Sequence, residues 1–341
     1  MATGPGRRGL PEERPAGVED PAGARVPPAF PVLDEGFPVR VPVPDLREAA
    51  RGNTGIPGVW RLDSGLPGPR AAIVSLVHGN EFAGAAVLAR WLREGVRPLR
   101  GTLTLVFANL DAFARFDPAD PTLSRYLDED LNRVWSPAIL DGPRDSLELR
   151  RARALRPVVE AAEALLDLHS MLWPSEPLIL AGRSPEARAM AAATGLPATV
   201  VLDGPHPDGP RLMDHAAFAG PRARGVALLV EAGPHWEPGT EAVAEACARG
   251  FLRALGMDAP RRPVAAPEIW TVTRAVAATS RRFAFTDDFR GGAVIPRAGT
   301  LIARDGGSEV RTPHDDCMLV MPSPRVMRGH VAVRLARREG G

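Results

Sequence analysis

The 341-residue chain is 45% hydrophobic and 24% charged, enough for one large domain plus a smaller one. Its net charge of +1 gives no general attraction to nucleic acid, so an acidic ligand would need a local basic pocket. All 42 basic residues are arginine, which excludes a Schiff-base lysine for pyridoxal phosphate and the lysine of a phosphate-binding P-loop.

Residues 1–28, dense in Pro, Gly, Glu and Arg, read as a flexible tail with no signal-peptide apolar run. In the lead-in that follows, Val39–Val43 reads as an edge strand, because its proline excludes a central one. Ala71–Val77 is a continuous apolar run ending at His78, the pattern of a strand buried on both faces. Glu81–Arg93 reads as a helix and Thr102–Phe107 as a second strand, ending near Asn109. The polar segment from Arg115 to Pro143 is too long for a plain connection and is expected to be functional. Ser146–Ala164 reads as a helix with Ser146 as its N-cap and Glu148 in its first turn.

Leu165–Leu168 leads into His169, and further strands are expected at Leu178–Ala181, Thr199–Leu202 and Val226–Val230. A helix over Glu241–Leu255 closes the unit. Alternating strands and helices predict an α/β sandwich over residues 29–260, with a largely parallel sheet and the chemistry at the carboxyl ends of its strands. Residues 261–341 change texture to short Thr, Val, Ile and Phe runs between glycine turns, which predicts a small β domain. Nowhere is there an apolar stretch of about 18 residues, so no membrane span is expected. Cys247 and Cys317 lie far apart without a CxxC pattern, which fits a reducing cytoplasm rather than a disulfide framework.

Four separated fragments carry the chemistry. His78 and Glu81 are three residues apart at a strand-to-helix turn, and His169 ends another strand, so the three can hold one zinc ion per chain and leave a position for water. Asp167, two residues before His169 on the same strand face, can orient a ligand histidine. Glu231 follows the apolar run Val226–Val230 and can act as proton acceptor and donor beside an activated water. Arg125, Asn132 and Arg133 lie in the long polar segment, where an amide and planar guanidinium groups can hold a substrate carboxylate and polarise a carbonyl. His235, Trp236 and Trp173 are expected near the pocket without a catalytic role, and His206, His215, His314 and His330 follow no ligand spacing. The glycine turns contain no GxGxxG between strand and helix, and Ser75 and Ser170 lack a GxSxG setting, so dinucleotide binding and serine hydrolysis are unsupported.

These fragments resemble the succinylglutamate desuccinylase and aspartoacylase family, which is related to zinc carboxypeptidases. The resemblance rests on His78-Gly79-Asn80-Glu81, Asn109-Leu110-Asp111-Ala112, Ser124-Arg125-Tyr126-Leu127-Asp128 running into Asp130-Leu131-Asn132-Arg133, Asp167-Leu168-His169, and Val230-Glu231-Ala232-Gly233-Pro234. It implies a zinc-carboxypeptidase-like three-layer sandwich with a C-terminal β segment. It also implies a zinc-dependent amidohydrolase acting on linear amides, specifically those of small N-acyl amino acids. Zinc falls to His78, Glu81 and His169, acid–base work to Glu231, the scissile carbonyl to Arg125, and a substrate carboxylate to Asn132 and Arg133, with Arg211 as an added carboxylate ligand. Aspartoacylase-type enzymes surround the substrate with tyrosines. The sole tyrosine here, Tyr126, lies inside the arginine motif, so an aspartate-specific pocket does not follow. A carboxypeptidase-like peptidase, a deacylase of larger substrates, and a non-catalytic metal-binding regulator stay open as alternatives. Neither nucleic acid nor a membrane is an expected partner, and a homo-oligomer is allowed. The C-terminal β domain is expected to roof the site, with Arg281, Arg282 and His314 as candidates to touch substrate.

Overall fold

A computed structural model describes residues 36–260 and 265–340. The expected tail and the junction at 261–264 lie outside the described residues. The strands are β1 (Val59–Asp63), β2 (Arg70–Ser75), β3 (Thr102–Phe107), β4 (Ala164–Met171), β5 (Leu178–Ala181), β6 (Thr199–Leu202) and β7 (Val226–Pro234), followed by β8 (Glu268–Ala277), β9 (Phe283–Phe285), β10 (Val294–Ile295), β11 (Leu301–Asp305), β12 (Ser308–Arg311), β13 (Cys317–Val320) and β14 (Val331–Arg338). The helices are α1 (Ala83–Glu94), α2 (Leu110–Phe113), α3 (Pro137–Leu140), α4 (Leu147–Ala161), α5 (Pro185–Thr194) and α6 (Thr240–Ala254).

β2 and β4 are buried along almost their whole length, as strands covered by helices on both faces must be. On one face, α1, α5 and α6 bury Val87, Leu88, Ala191, Cys247 and Phe251 against Ile73, Leu166 and Val230. On the other, α4 and the segment around Trp135 and Leu212 cover Val74, Leu165 and Leu229. The result is a three-layer sandwich around a mixed sheet of order β1-β3-β2-β4-β7-β5-β6-β8-β14-β13-β10. From β3 through β7 the neighbours are parallel, then β5 runs antiparallel to β7. A strand that reverses in this way brings its amino end beside the carboxyl end of β7, so Leu178 of β5 lies opposite Glu231.

Ser146 caps α4, its hydroxyl accepting from the Leu149 amide at 3.0 Å. Val39–Val43 is not a strand: it runs as irregular chain with Arg40 N–H bonded to the Trp236 carbonyl. Both cysteines are free and buried. Among the described residues no helix is long and apolar enough to cross a membrane.

The C-terminal strands continue the central sheet. β8 pairs in parallel with β6, and β14 and β13 follow it antiparallel. Trp270, Val272, Met318, Val320 and Ala336 belong to the same apolar cluster as Leu165 and Val201. A smaller core around Phe283, Phe285, Ile302 and Leu319 holds the three-stranded sheet β12-β11-β9. A chain ended at Pro260 would therefore bare the β6 edge and part of the main core. Such a chain is expected to aggregate and lose its cooperative melt. A monodisperse elution profile with an unchanged melt would contradict this.

Candidate metal centre

The turn after β2 is built around close backbone approach. Leu76 takes a left-handed φ of 56°, which swings the chain out of the strand toward His78. Gly79 donates its N–H to the Arg125 carbonyl at 3.0 Å. A Cβ on Gly79 would stand 2.5 Å from backbone atoms of Ala112, Phe113 and Ser124, so only glycine allows the arginine-bearing loop this near. Trp236 closes the turn from outside, its indole N–H donating to the Asn80 carbonyl at 2.9 Å.

His78, Glu81 and His169 are all buried, and one donor atom from each lies within 4.8 Å of the others. His169 Nδ1 is 2.9 Å from Glu81 Oε2. His78 Nδ1 is 2.7 Å from Glu81 Oε1, yet the angle makes no hydrogen bond and this buried nitrogen has no partner. The far nitrogens are held by carboxylates: His169 Nε2 by Asp167 Oδ2 at 2.8 Å, and His78 Nε2 by Asp130 Oδ1 at 3.0 Å. An imidazole that donates from Nε2 turns the lone pair of Nδ1 inward. Each Nδ1 thus faces Glu81 across a gap that a proton or a metal ion can occupy. That nitrogen, nitrogen and oxygen donor set fits zinc. Burial opposes charge on His169, but Asp167 and Glu81 outweigh it and raise its affinity for a proton, as they would for a metal ion.

Arg125 lies over the same cluster, donating from Nη1 to Glu81 Oε1 at 3.0 Å, with Nη2 2.9 Å from His78 Nε2. Glu231 is paired in register with His169 across β4 and β7. Its carboxyl is buried and Oε2 has no hydrogen-bond partner. Burial, reinforced by Glu81 and Asp167 and opposed by His169 and Arg125, pushes its pKa up to about 8. His235, four residues on, bonds through Nδ1 to the Ser170 hydroxyl at 2.7 Å and brings Nε2 to 4.0 Å from Glu81.

Asn132 is buried, and its Oδ1 accepts from the Leu212 amide at 2.7 Å, which leaves the NH2 group as its free end. Arg133 donates to the Asn132 carbonyl at 2.7 Å and lies 3.3 Å from His206 Nε2. Arg211 is taken up by the protein itself: Asp203 at 3.0 Å, Asp214 at 2.9 Å and the Gly204 carbonyl at 2.8 Å. Arg281 and Arg282 are exposed, and His314 is bound by Thr273 and the Asp315 carbonyl.

Two supports were not expected from the sequence. Asp130 was part of a recognised fragment, but nothing in its spacing showed that it would reach back to His78. Glu148 looked like a first-turn acid of α4. In the fold its buried carboxylate accepts the amides of Leu127, Asp128 and Glu129 at 2.7, 3.0 and 3.3 Å and the Asn109 side chain at 3.2 Å. It anchors the loop that carries Arg125, Asn132 and Arg133.

Parallel strand ends carrying a buried His, Glu, His cluster define the class: a three-layer α/β sandwich with a candidate metal centre. Residues 67–256 match the succinylglutamate desuccinylase/aspartoacylase catalytic domain, and the chain belongs to that family. A succinylglutamate desuccinylase of Photorhabdus laumondii is 35% identical over 122 residues, 34% of this chain and 35% of that protein. An N-acyl-aromatic-L-amino acid amidohydrolase (carboxylate-forming) of Xenopus laevis is 30% identical over 113 residues, 30% of this chain and 35% of that one. The chain thus matches about a third of the length of these relatives. In three dimensions, the succinylglutamate desuccinylase of Vibrio parahaemolyticus superposes with a TM-score of 0.65 at 17% identity, covering 82% of this chain and 86% of that one, which shows the shared fold.

Asp130→Ala is expected to weaken zinc binding about 10- to 100-fold in calorimetric titration, because His78 loses the partner that turns Nδ1 inward. An unchanged affinity would remove Asp130 from the centre. In chelator-treated protein, the raised pKa of Glu231 means that folding favours its protonated form. The stability it contributes is complete below about pH 4.5 and is lost as pH rises through about 8. Glu231→Gln, always neutral, should therefore be the more stable form above pH 8 in thermal melts, and equal melts across pH 5 to 9 would refute the raised pKa.

Proposed function

We propose that the chain is a zinc-dependent hydrolase that cleaves the amide bond of a small N-acyl amino acid to a carboxylate and an amine. The observation that carries this reading is the buried, unpartnered Glu231 carboxyl in register with His169, beside the cluster of His78 and Glu81. Family membership supports amide hydrolysis, and two relatives bear the names of N-acyl amino acid deacylases.

His78 Nδ1, Glu81 and His169 Nδ1 would hold the zinc, with Asp130 and Asp167 fixing both rings. Bound there, zinc supplies Lewis acidity to polarise a carbonyl and lower the pKa of water. Glu231, with a proton affinity near neutral and Oε2 free, takes a proton from the attacking water and returns it to the departing amine nitrogen. Arg125 reaches the same point from the loop above and directs a guanidinium at the carbonyl oxygen as negative charge develops there. The free NH2 of Asn132 and the Arg133 fork receive a substrate carboxylate. The C-terminal strands help to enclose the site. Gly291 exchanges backbone bonds with Pro174 and Glu176, and Arg325 stands 5.9 Å from the Trp173 ring, both on the loop that leaves β4.

Glu231→Gln should keep zinc bound and lower kcat by about 100- to 10,000-fold on whichever N-acetyl or N-succinyl amino acid a substrate screen finds best. Retained turnover in that variant, or full zinc occupancy with no acyl-amide cleaved by the wild type, would overturn the reading.

A further inference from the structure

A further buried histidine stands beside the cluster of His78, Glu81 and His169. His235 is only 6% exposed, and its Nε2 lies 4.0 Å from Glu81 Oε1, beyond hydrogen-bond reach. Its other nitrogen, Nδ1, lies 2.7 Å from the Ser170 hydroxyl. Ser170 also donates its backbone N–H to Glu81 Oε2 at 3.2 Å, so one residue holds both the imidazole and the carboxylate it faces.

The backbone bends twice to put the ring there. Between Glu231 and Pro234, β7 carries one residue more than β4 does between His169 and Met171, a bulge in which Gly233 takes a φ of 127°. Trp236, directly after His235, takes a left-handed φ of 55°, a conformation that disfavours a bulky side chain. Three contacts hold it. Its indole N–H donates to the Asn80 carbonyl at 2.9 Å, its carbonyl accepts the Arg40 N–H at 3.0 Å, and its ring lies 6.0 Å from that of Phe116. A bulge re-aims the side chains that follow it, and a strained residue persists only where its surroundings fix it. Both devices flank His235, whose own N–H is tied to the Met171 carbonyl at 2.8 Å.

The place of the ring hydrogen follows from the neighbours. A neutral imidazole has one N–H and one lone pair. With the hydrogen on Nδ1, the Nε2 lone pair would face the Glu81 carboxylate and be repelled by it. With the hydrogen on Nε2, the ring points a donor at that carboxylate while Nδ1 accepts the Ser170 hydroxyl. A charged ring also carries a hydrogen on Nε2, so the donor faces the cluster in either state. It has no hydrogen-bond acceptor among the described residues. A buried N–H left unpaired is costly, so this one calls for an oxygen from outside the chain. Arg125 Nη1 donates to the same Glu81 Oε1 at 3.0 Å from the arginine loop. Two donors carried by separate elements thus converge on one place.

We propose that His235 is a second donor, beside Arg125, to the carbonyl oxygen of the scissile amide, with Ser170 as the positioning residue that fixes its ring. The inference rests on the deacylase reading and adds a residue to it. Nε2 keeps its hydrogen throughout and stabilises the oxygen as negative charge develops there.

The test uses zinc-replete full-length protein with His235→Ala to remove the donor, His235→Gln to restore an N–H, and Ser170→Ala to free the ring. kcat and KM are measured on the best substrate of the N-acetyl and N-succinyl amino-acid screen. Calorimetry gives the affinity for zinc, for methylphosphonate as a tetrahedral oxyanion, and for acetate as a planar one. His235→Ala should lower kcat about 100-fold with KM and zinc affinity unchanged, and should weaken methylphosphonate at least about tenfold more than acetate. His235→Gln should recover most of both losses, and Ser170→Ala should show the same pattern with smaller losses. An unchanged kcat, an equal weakening of the two anions, or a loss of zinc that accounts for the lost turnover overturns the donor role. If His235→Ala does not fold, Ser170→Ala decides by the same ratio of anion affinities. A wild type that cleaves no N-acyl amino acid, yet prefers methylphosphonate only while His235 is present, would sink the deacylase reading and keep the donor. Wild-type cleavage with unaltered kcat and anion affinities in the variants would do the reverse.

Discussion

The side-by-side pairing of β4 and β7 sets His169 against Glu231, and the rest of the site is arranged around that contact. Both side chains sit at the carboxyl ends of strands buried from solvent, where an unpaired charge is costly. His169 meets this constraint with Asp167 behind it and Glu81 in front. Glu231 meets it by holding its proton to about pH 8. The same burial that penalises the ionised carboxylate makes it a proton carrier near neutral pH. Stability and chemistry are two consequences of one environment.

The second tier of the site is a set of carboxylates that hold backbone and rings. Asp130 holds His78, and Glu148 collects three consecutive amides and the Asn109 side chain. With them, a loop without regular strands becomes a rigid wall. Gly79 lets that wall approach until Arg125 bonds Glu81 directly. The arginine loop and the metal turn therefore form one unit, although 44 residues separate Glu81 from Arg125.

The C-terminal strands add to this unit from the far side of the sheet. They extend the edge of β6, share the core beneath the catalytic face, and carry a buried arginine toward the turn after β6. Arg211, read from the sequence as a carboxylate ligand, has each of its donor nitrogens met by protein acceptors, and Arg334 shares one of those acceptors.

Local pattern alone determined much of this protein. The runs ending near His78 and His169, the Ser146 cap and the strands Thr102–Phe107, Leu178–Ala181 and Thr199–Leu202 were legible because apolar continuity and capping chemistry act over a few residues. The His78, Glu81 and His169 cluster was legible because strand-end placement and donor type were enough to suggest convergence. Pattern misled at Val39–Val43, where strand-like composition met no partner edge. Only the tertiary structure decided that β5 reverses beside β7, that the late strands join the main sheet, and that Asp130 and Glu148 support the site. Those contacts join residues far apart in the chain, and their energies depend on burial and counter-charge, which no local stretch of sequence encodes.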